Sequence, residues 1–159
     1  MKLYDISQEI FSCKVYPGDP APQKQILCAT ENGDLYNLTA FSMCAHNGTH
    51  IDAPFHFLSE GKTVDQMALS NFVGDCYVAR RNGEVTAADA MDILQRAEGV
   101  PRVLIAGSAT VTAAAAEVFA SSGICLLGTK VRLWGRKMPQ CRCIRYCLKK
   151  MWRFWKASF

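Results

Sequence analysis

His46, His50 and His56 are the three histidines of this chain, and they fall within eleven residues of one another with Asp52 between them, in the run His46-Asn47-Gly48-Thr49-His50-Ile51-Asp52-Ala53-Pro54-Phe55-His56. Neutral imidazole nitrogens and carboxylate oxygens are the donors that suit zinc and related divalent ions, and an aspartate has two oxygens with which to bridge a second ion. His50 and Asp52 are two apart, so an extended backbone presents both on one face. Asn47-Gly48 is a turn-forming pair that can fold His46 back toward them. Pro54 fixes the backbone ahead of His56 and limits how far that ring can wander. A single histidine in a polar loop is ordinarily a surface or satisfied core residue. Three of them with an aspartate, flanked by Gly, Thr and Pro, point instead to a metal site. The spacing is not that of a zinc finger, and no His-Glu-x-x-His is present, which disfavours a metalloprotease.

Elements must position these groups. Leu3-Tyr4-Asp5-Ile6 reads as a short strand, and Tyr16-Pro17-Gly18-Asp19-Pro20-Ala21-Pro22 as a turn or loop. From Tyr36 to Ala45 apolar and small polar residues alternate imperfectly, as in a largely buried strand that leads into the histidines. Thr86 is expected to cap a helix, with Asp89 three residues on, an apolar face of Ala90, Met91, Ile93, Leu94 and Ala97, and Gly99 and Pro101 to stop it. Val103-Leu104-Ile105-Ala106 fits a buried strand. A second helix is expected from Thr112 through Phe119 to Gly123, and Ile124-Cys125-Leu126-Leu127 as another buried strand. Alternating strands and helices imply an α/β layer with at least one parallel crossover.

At 159 residues, half of them apolar, the chain can bury one core and is short for two. No stretch approaches the roughly 20 apolar residues of a membrane span, and Met1-Lys2-Leu3-Tyr4-Asp5 lacks the apolar run of a signal peptide, so a cytoplasmic protein is expected. Cys13, Cys28, Cys44, Cys76 and Cys125 are scattered singly and read as reduced, structural thiols. The net charge of +4 conceals an asymmetry: residues 1 to 129 carry 8 Lys or Arg and all 14 Asp or Glu, whereas residues 130 to 159 carry 10 Lys or Arg, no acid and all three tryptophans. Two compositions meet near Thr129.

The run His-x-Gly-Thr-His-x-Asp-x-Pro-x-His resembles the signature of the cyclase family of metal-dependent hydrolases, whose members include bacterial kynurenine formamidases. Tyr4-Asp5-Ile6-Ser7, Tyr16-Pro17-Gly18-Asp19-Pro20 and Leu126-Leu127-Gly128 support the likeness, which spans roughly residues 1 to 128. The resemblance implies a swivelling β/β/α domain, His46, His50 and Asp52 as metal ligands, and His56 as the acid or base beside them. It implies zinc, with manganese the alternative, and a homodimer or homotetramer. The expected partner is a small-molecule substrate rather than a nucleic acid or a membrane. A divalent ion acidifies water and polarises a scissile carbonyl, which suits hydrolysis of an amide or formamide, and His56 can give a proton to the departing amine. For N-formylkynurenine the products are formate and an aryl amine. Tyr16, Phe55 and Phe57 are candidates to line an aromatic pocket, and would serve equally as core residues. Another cyclic amide, a lactone or an ester fits the motif as well, since the motif reports the metal, and so does a relic that binds metal without turnover.

After Gly128 the resemblance stops where the composition breaks. The family continues with an acidic, proline-bearing segment that supplies a further histidine and, twelve residues later, a glutamate to the metal; neither residue type occurs here after Glu117. A frame slip accounts for this. When each codon is read from the third base of one residue and the first two of the next, synonymous codons for Thr129 to Lys156 yield a family-like ending. Its histidine straddles Cys143 and Ile144 and its glutamate straddles Trp155 and Lys156, twelve apart. Residues 129 to 159 therefore read as an out-of-frame tail on a 1 to 128 hydrolase domain, with impaired turnover expected because the site lacks two groups. The rivals are an amphipathic element over Arg145 to Phe159 for a membrane or nucleic acid, and a Cys141, Cys143, Cys147 metal site of unusual spacing.

Overall fold

The computed structural model describes residues 4–130, so the tail reading and its cysteines, like Leu3, lie outside the described residues. The chain divides into two compact units, Met1–Asp52 and Ala53–Phe159.

In the first unit, β1 (Gln23–Cys28) pairs antiparallel with β2 (Leu38–Ser42), with an irregularity between Ile26 and Cys28. Side chains shape the connection. The Ala29 N–H donates to the Asp34 carboxylate at 2.8 Å, the Thr30 N–H donates to Asn37 Oδ1 at 2.9 Å, and Gly33 supplies the left-handed residue, φ +91°, that ends a 3-10 turn at Thr30–Asn32. The expected strand over Tyr36–Ala45 is thus real but shorter, and its burial is corrected: Phe41 is 62% exposed, and of β2 only Ala40 is half-buried. Hydropathy reports what a strand could bury, not whether a second layer covers it, and a two-stranded ribbon brings no layer of its own. The expected strand at Tyr4–Ile6 is replaced by irregular chain. There the Asp5 carboxylate accepts the Ser7 N–H at 2.9 Å and the Ser7 hydroxyl at 2.6 Å, a local closure that competes with sheet pairing. The loop after Tyr16 is as expected, closed by Asp19 N–H on the Tyr16 carbonyl at 3.0 Å.

In the second unit, β3 (Tyr77–Arg80), β4 (Gly83–Val85), α1 (Ala87–Arg96), β5 (Arg102–Ala106), β6 (Ala109–Val111), α2 (Ala113–Ser121) and β7 (Leu126–Thr129) follow in order. β3, β5 and β7 form a parallel sheet with β5 central, and β4 pairs in parallel with β6. Each return to the sheet passes through a helix, which confirms the α/β class and the parallel crossovers. Thr86 caps α1 as expected: its hydroxyl accepts the Asp89 N–H at 3.2 Å and the Asp89 carboxylate accepts the Thr86 N–H at 2.9 Å. Thr112 caps α2 in the same way through the Ala115 N–H. The helices and sheet bury Val85, Ile93, Val103, Ile105 and Phe119, each below 2% exposed. β7 begins two residues later than expected: the Cys125 N–H turns to the Pro101 carbonyl at 2.8 Å, and the ladder starts at Leu126, opposite Arg102. β1, β3, β4 and β6 are further strands that periodicity did not single out; all four are only three to six residues long.

Arg102 anchors the second unit's irregular segment. Its buried guanidinium donates to the carbonyls of Asn71 at 3.0 Å, Asp75 at 3.3 Å and Ser70. Gly74 must remain glycine beside it, since φ is +139° and a Cβ would come 2.7 Å from the Arg102 Nη1.

Candidate metal centre

The three donors that the motif predicts in the first unit come together. One ligand atom from each of His46, His50 and Asp52 lies within 4.8 Å of the other two, so the group can hold a metal ion. Asp52 Oδ1 is the focus, 2.9 Å from His46 Nδ1 and 3.5 Å from His50 Nε2. The two rings meet edge to face, with centroids 5.0 Å apart.

Local chain geometry explains the convergence. Cys44 and Asn47 are joined twice: the Asn47 N–H donates to the Cys44 carbonyl at 3.0 Å, and Asn47 Oδ1 accepts the Cys44 N–H at 2.8 Å. That closed turn carries His46. Gly48 then takes φ +66°, which reverses the chain at little cost for a residue without Cβ. Its carbonyl lies 3.0 Å from His50 Nδ1. A carbonyl can only accept, so Nδ1 carries a proton, which leaves Nε2, on the side of Asp52, as the nitrogen able to ligate a metal. Thr49 ties the loop to the chain's beginning, accepting the Gln8 N–H at 2.9 Å and donating to the Ile6 carbonyl at 3.3 Å.

Asp52 Oδ1 tests whether a cation fits. It is buried and accepts no hydrogen bond, although a histidine nitrogen stands 2.9 Å away, so neither short contact is aligned as one. A desolvated carboxylate oxygen without a well-formed hydrogen bond is costly. With two imidazole nitrogens beside it, the arrangement is one that a divalent ion relieves, and the donor set of two nitrogens and one oxygen suits zinc or a neighbouring transition metal.

The other predicted residues are placed as follows. His56 ends a 3-10 turn at Pro54–His56, which opens the second unit; its imidazole is exposed and packs against Phe57 with centroids 4.1 Å apart. Phe57 is half-buried, Phe55 is 54% exposed, and Tyr16, in the first unit's loop, is 45% exposed. The five single cysteines are free, as expected. What the motif did not single out is the work of Asn47 and Thr49. Asn-Gly announces a turn, but nothing in the spacing says that the Asn47 amide would be buried or that the Thr49 hydroxyl would reach residues more than 40 positions away.

An α/β chain with a two-histidine, one-carboxylate group able to hold a metal, in the loop after a strand, is the class that fold and site define. The family described as "Putative cyclase" matches residues 4–131, and this chain belongs to that cyclase family. Kynurenine formamidase of Bacillus cytotoxicus is 32% identical over 106 residues, covering 64% of this chain and 49% of that protein. The kynurenine formamidase of Paracidovorax citrulli is 39% identical over 83 residues, covering 51% of this chain and 38% of that protein. The chain spans about half the length of the curated relatives it matches. A solved structure described as a potential metal-dependent hydrolase with cyclase activity superposes with a TM-score of 0.68 at 22% identity, covering 92% of this chain and 77% of that one, a likeness of fold. Among the described residues no helix is long and apolar enough to cross a membrane.

Proposed function

We propose that this chain carries the metal-binding part of a hydrolase that cleaves a formamide C–N bond, N-formylkynurenine to kynurenine and formate, and that turnover is impaired by the sequence after Gly128. The convergence of His46, His50 and Asp52 around a buried, unsatisfied carboxylate oxygen is the observation that carries the metal reading. Kinship with kynurenine formamidases supports the substrate. Zinc, with manganese as the alternative, would be held by those three side chains. When bound it supplies Lewis-acid chemistry, polarising a carbonyl and acidifying water.

The chain's own residues do the rest. The Gly48 carbonyl holds the His50 Nδ1 proton, which orients the ring and leaves Nε2 as its ligand atom. His56 is assigned to protonate the departing aryl amine, which has to leave as a neutral amine to make cleavage downhill. Its support is its place four residues after Asp52 in the motif and an exposed imidazole. Tyr16, Phe55 and Phe57 are assigned to the aryl group. A homodimer or homotetramer in the cytoplasm belongs to the same reading and rests on the resemblance alone.

Impairment is favoured by two observations that agree on position: the charge composition changes near Thr129 and the family match ends at residue 131. An out-of-frame tail leaves three ligand groups where the family uses more, which lowers affinity and disfavours a second ion. The test is metal content by mass spectrometry of the purified chain together with N-formylkynurenine hydrolysis, with and without chelator. Bound zinc and slow, chelator-sensitive turnover are expected, with His56→Gln slower still. A chain that takes up no divalent metal sinks the hydrolase reading, whereas turnover in the ordinary enzymatic range of about 1 to 1,000 per second, abolished by chelator, sinks the impairment. The nucleotide sequence around Gly128 decides the frame slip: an intact frame with the same tail in close relatives ends it.

A further inference from the structure

Among the described residues of the first unit, two are fully buried, Ala29 and Asn47. Asn47 is 1% exposed, a polar amide hidden in a unit that leaves most of its large apolar side chains in the open. It stands between ligand His46 and the glycine whose carbonyl orients ligand His50. Its amide orientation is not ambiguous: the atom 2.8 Å from the Cys44 N–H must be the oxygen, because a second donor there would face a donor. The nitrogen, Nδ2, is then left buried with no acceptor. An apolar side chain would occupy this space without a stranded donor, so core packing does not call for an amide here.

We infer that Asn47 is a positioning residue for the metal, acting through the turn it closes rather than as a ligand. The double link between Cys44 and Asn47 fixes the backbone on either side of His46, and so the direction from which that ring enters the site. The same residue sets where Gly48 begins its left-handed turn, and hence where the Gly48 carbonyl meets His50 Nδ1. One side-chain oxygen therefore governs the orientation of both histidines. Without it the three donors remain in the chain but must pay the entropy of finding one another when the ion arrives.

The inference rests on the metal reading of the site and not on the formamidase reaction. Its test is accordingly made on the full chain with zinc and cobalt(II) alone: dissociation constants by competition with a chromophoric chelator, and the ligand-field absorption of the cobalt form as a signature of donor geometry. Asn47→Leu keeps the number and branching of the side-chain heavy atoms and removes the acceptor; its zinc dissociation constant should rise about 10- to 100-fold, the range found when groups supporting metal ligands are lost, and its cobalt spectrum should change. Asn47→Asp and Asn47→Ser each keep an oxygen that can accept the Cys44 N–H. At least one of them should bind zinc within about threefold of the parent and restore the cobalt spectrum. An Asn47→Leu chain that binds zinc like the parent overturns the inference, and so does loss of affinity in all three variants, including the case in which the leucine variant does not fold. A parent chain that binds no zinc removes the metal reading and this inference together, whereas normal parent binding with an indifferent leucine variant removes this inference alone.

Discussion

The two units of this chain are held by different forces. In Ala53–Phe159 two capped helices and a parallel sheet bury a continuous set of aliphatic side chains and Phe119, so packing of apolar surface dominates. In Met1–Asp52 the large apolar residues are mostly exposed, and the order that exists comes from side chains bonding to nearby backbone: Asp34 and Asn37 at the hairpin end, Asp5 and Glu9 near the start, Asn47 and Thr49 in the ligand loop. Polar closures of this kind are individually modest, about 1 kcal/mol each. The contrast teaches that the candidate metal donors sit where geometry is specified by hydrogen bonds rather than where a core enforces it.

That contrast can be broken or sharpened in four ways. The largest effect is expected from Phe119→Ala, which empties the centre of the packed unit and should cost about 3–5 kcal/mol by urea unfolding. A cost under about 1 kcal/mol would mean that apolar packing is not what holds it. Next comes Gly48→Ala. A Cβ there has room, with its nearest neighbours 3.8 Å away, so the penalty is the left-handed backbone itself, about 1–2 kcal/mol. Because the strain falls on the ligand loop it should appear as roughly tenfold weaker zinc binding, and unchanged affinity would show the loop to be insensitive to its own geometry. Thr86→Ala removes the α1 cap and should lower unfolding stability by about 1 kcal/mol.

Acid sensitivity is the smallest effect and belongs to the packed unit's surface. The Thr86 hydroxyl and N–H hold the Asp89 carboxyl below its usual value, with Arg81 adding a weaker pull. Arg96, by hydrogen bond and charge, does the same for Asp92, again with help from Arg81. Both folded pKa values lie below the unfolded ones. Their contribution is therefore fully present above the ordinary carboxylate pKa of about 4 and fades as pH falls through the lower, folded values. Both side chains are more than a third exposed, so solvent screens them and the loss is small. Asp92→Asn should flatten the fall of the urea midpoint between neutral and strongly acidic pH, and an identical profile in parent and variant would remove these ion pairs from the account.

Much of the packed unit was legible in the sequence because its signals are short-range. Thr86 with Asp89, Thr112 before the alanines, and the glycines after each helix act within one turn, and the helices they bound are where they were expected. The first unit was less legible for the opposite reason. The expected buried strand over Tyr36–Ala45 is exposed, and the strand expected at the start is irregular chain, since neither hydropathy nor alternation states what partner will lie alongside.

For the candidate metal site, the residue types and their spacing alone named the donor set: imidazole, imidazole and carboxylate within seven residues, with a turn between. Tertiary structure decided the rest. It turned His50 Nε2 toward Asp52, hid the Asn47 amide, joined Thr49 to Gln8 and Ile6, and divided the chain after Asp52 so that His56 falls in the other unit. A donor's chemistry is a property of one side chain, but its direction and its access to water depend on atoms contributed by segments far away in sequence.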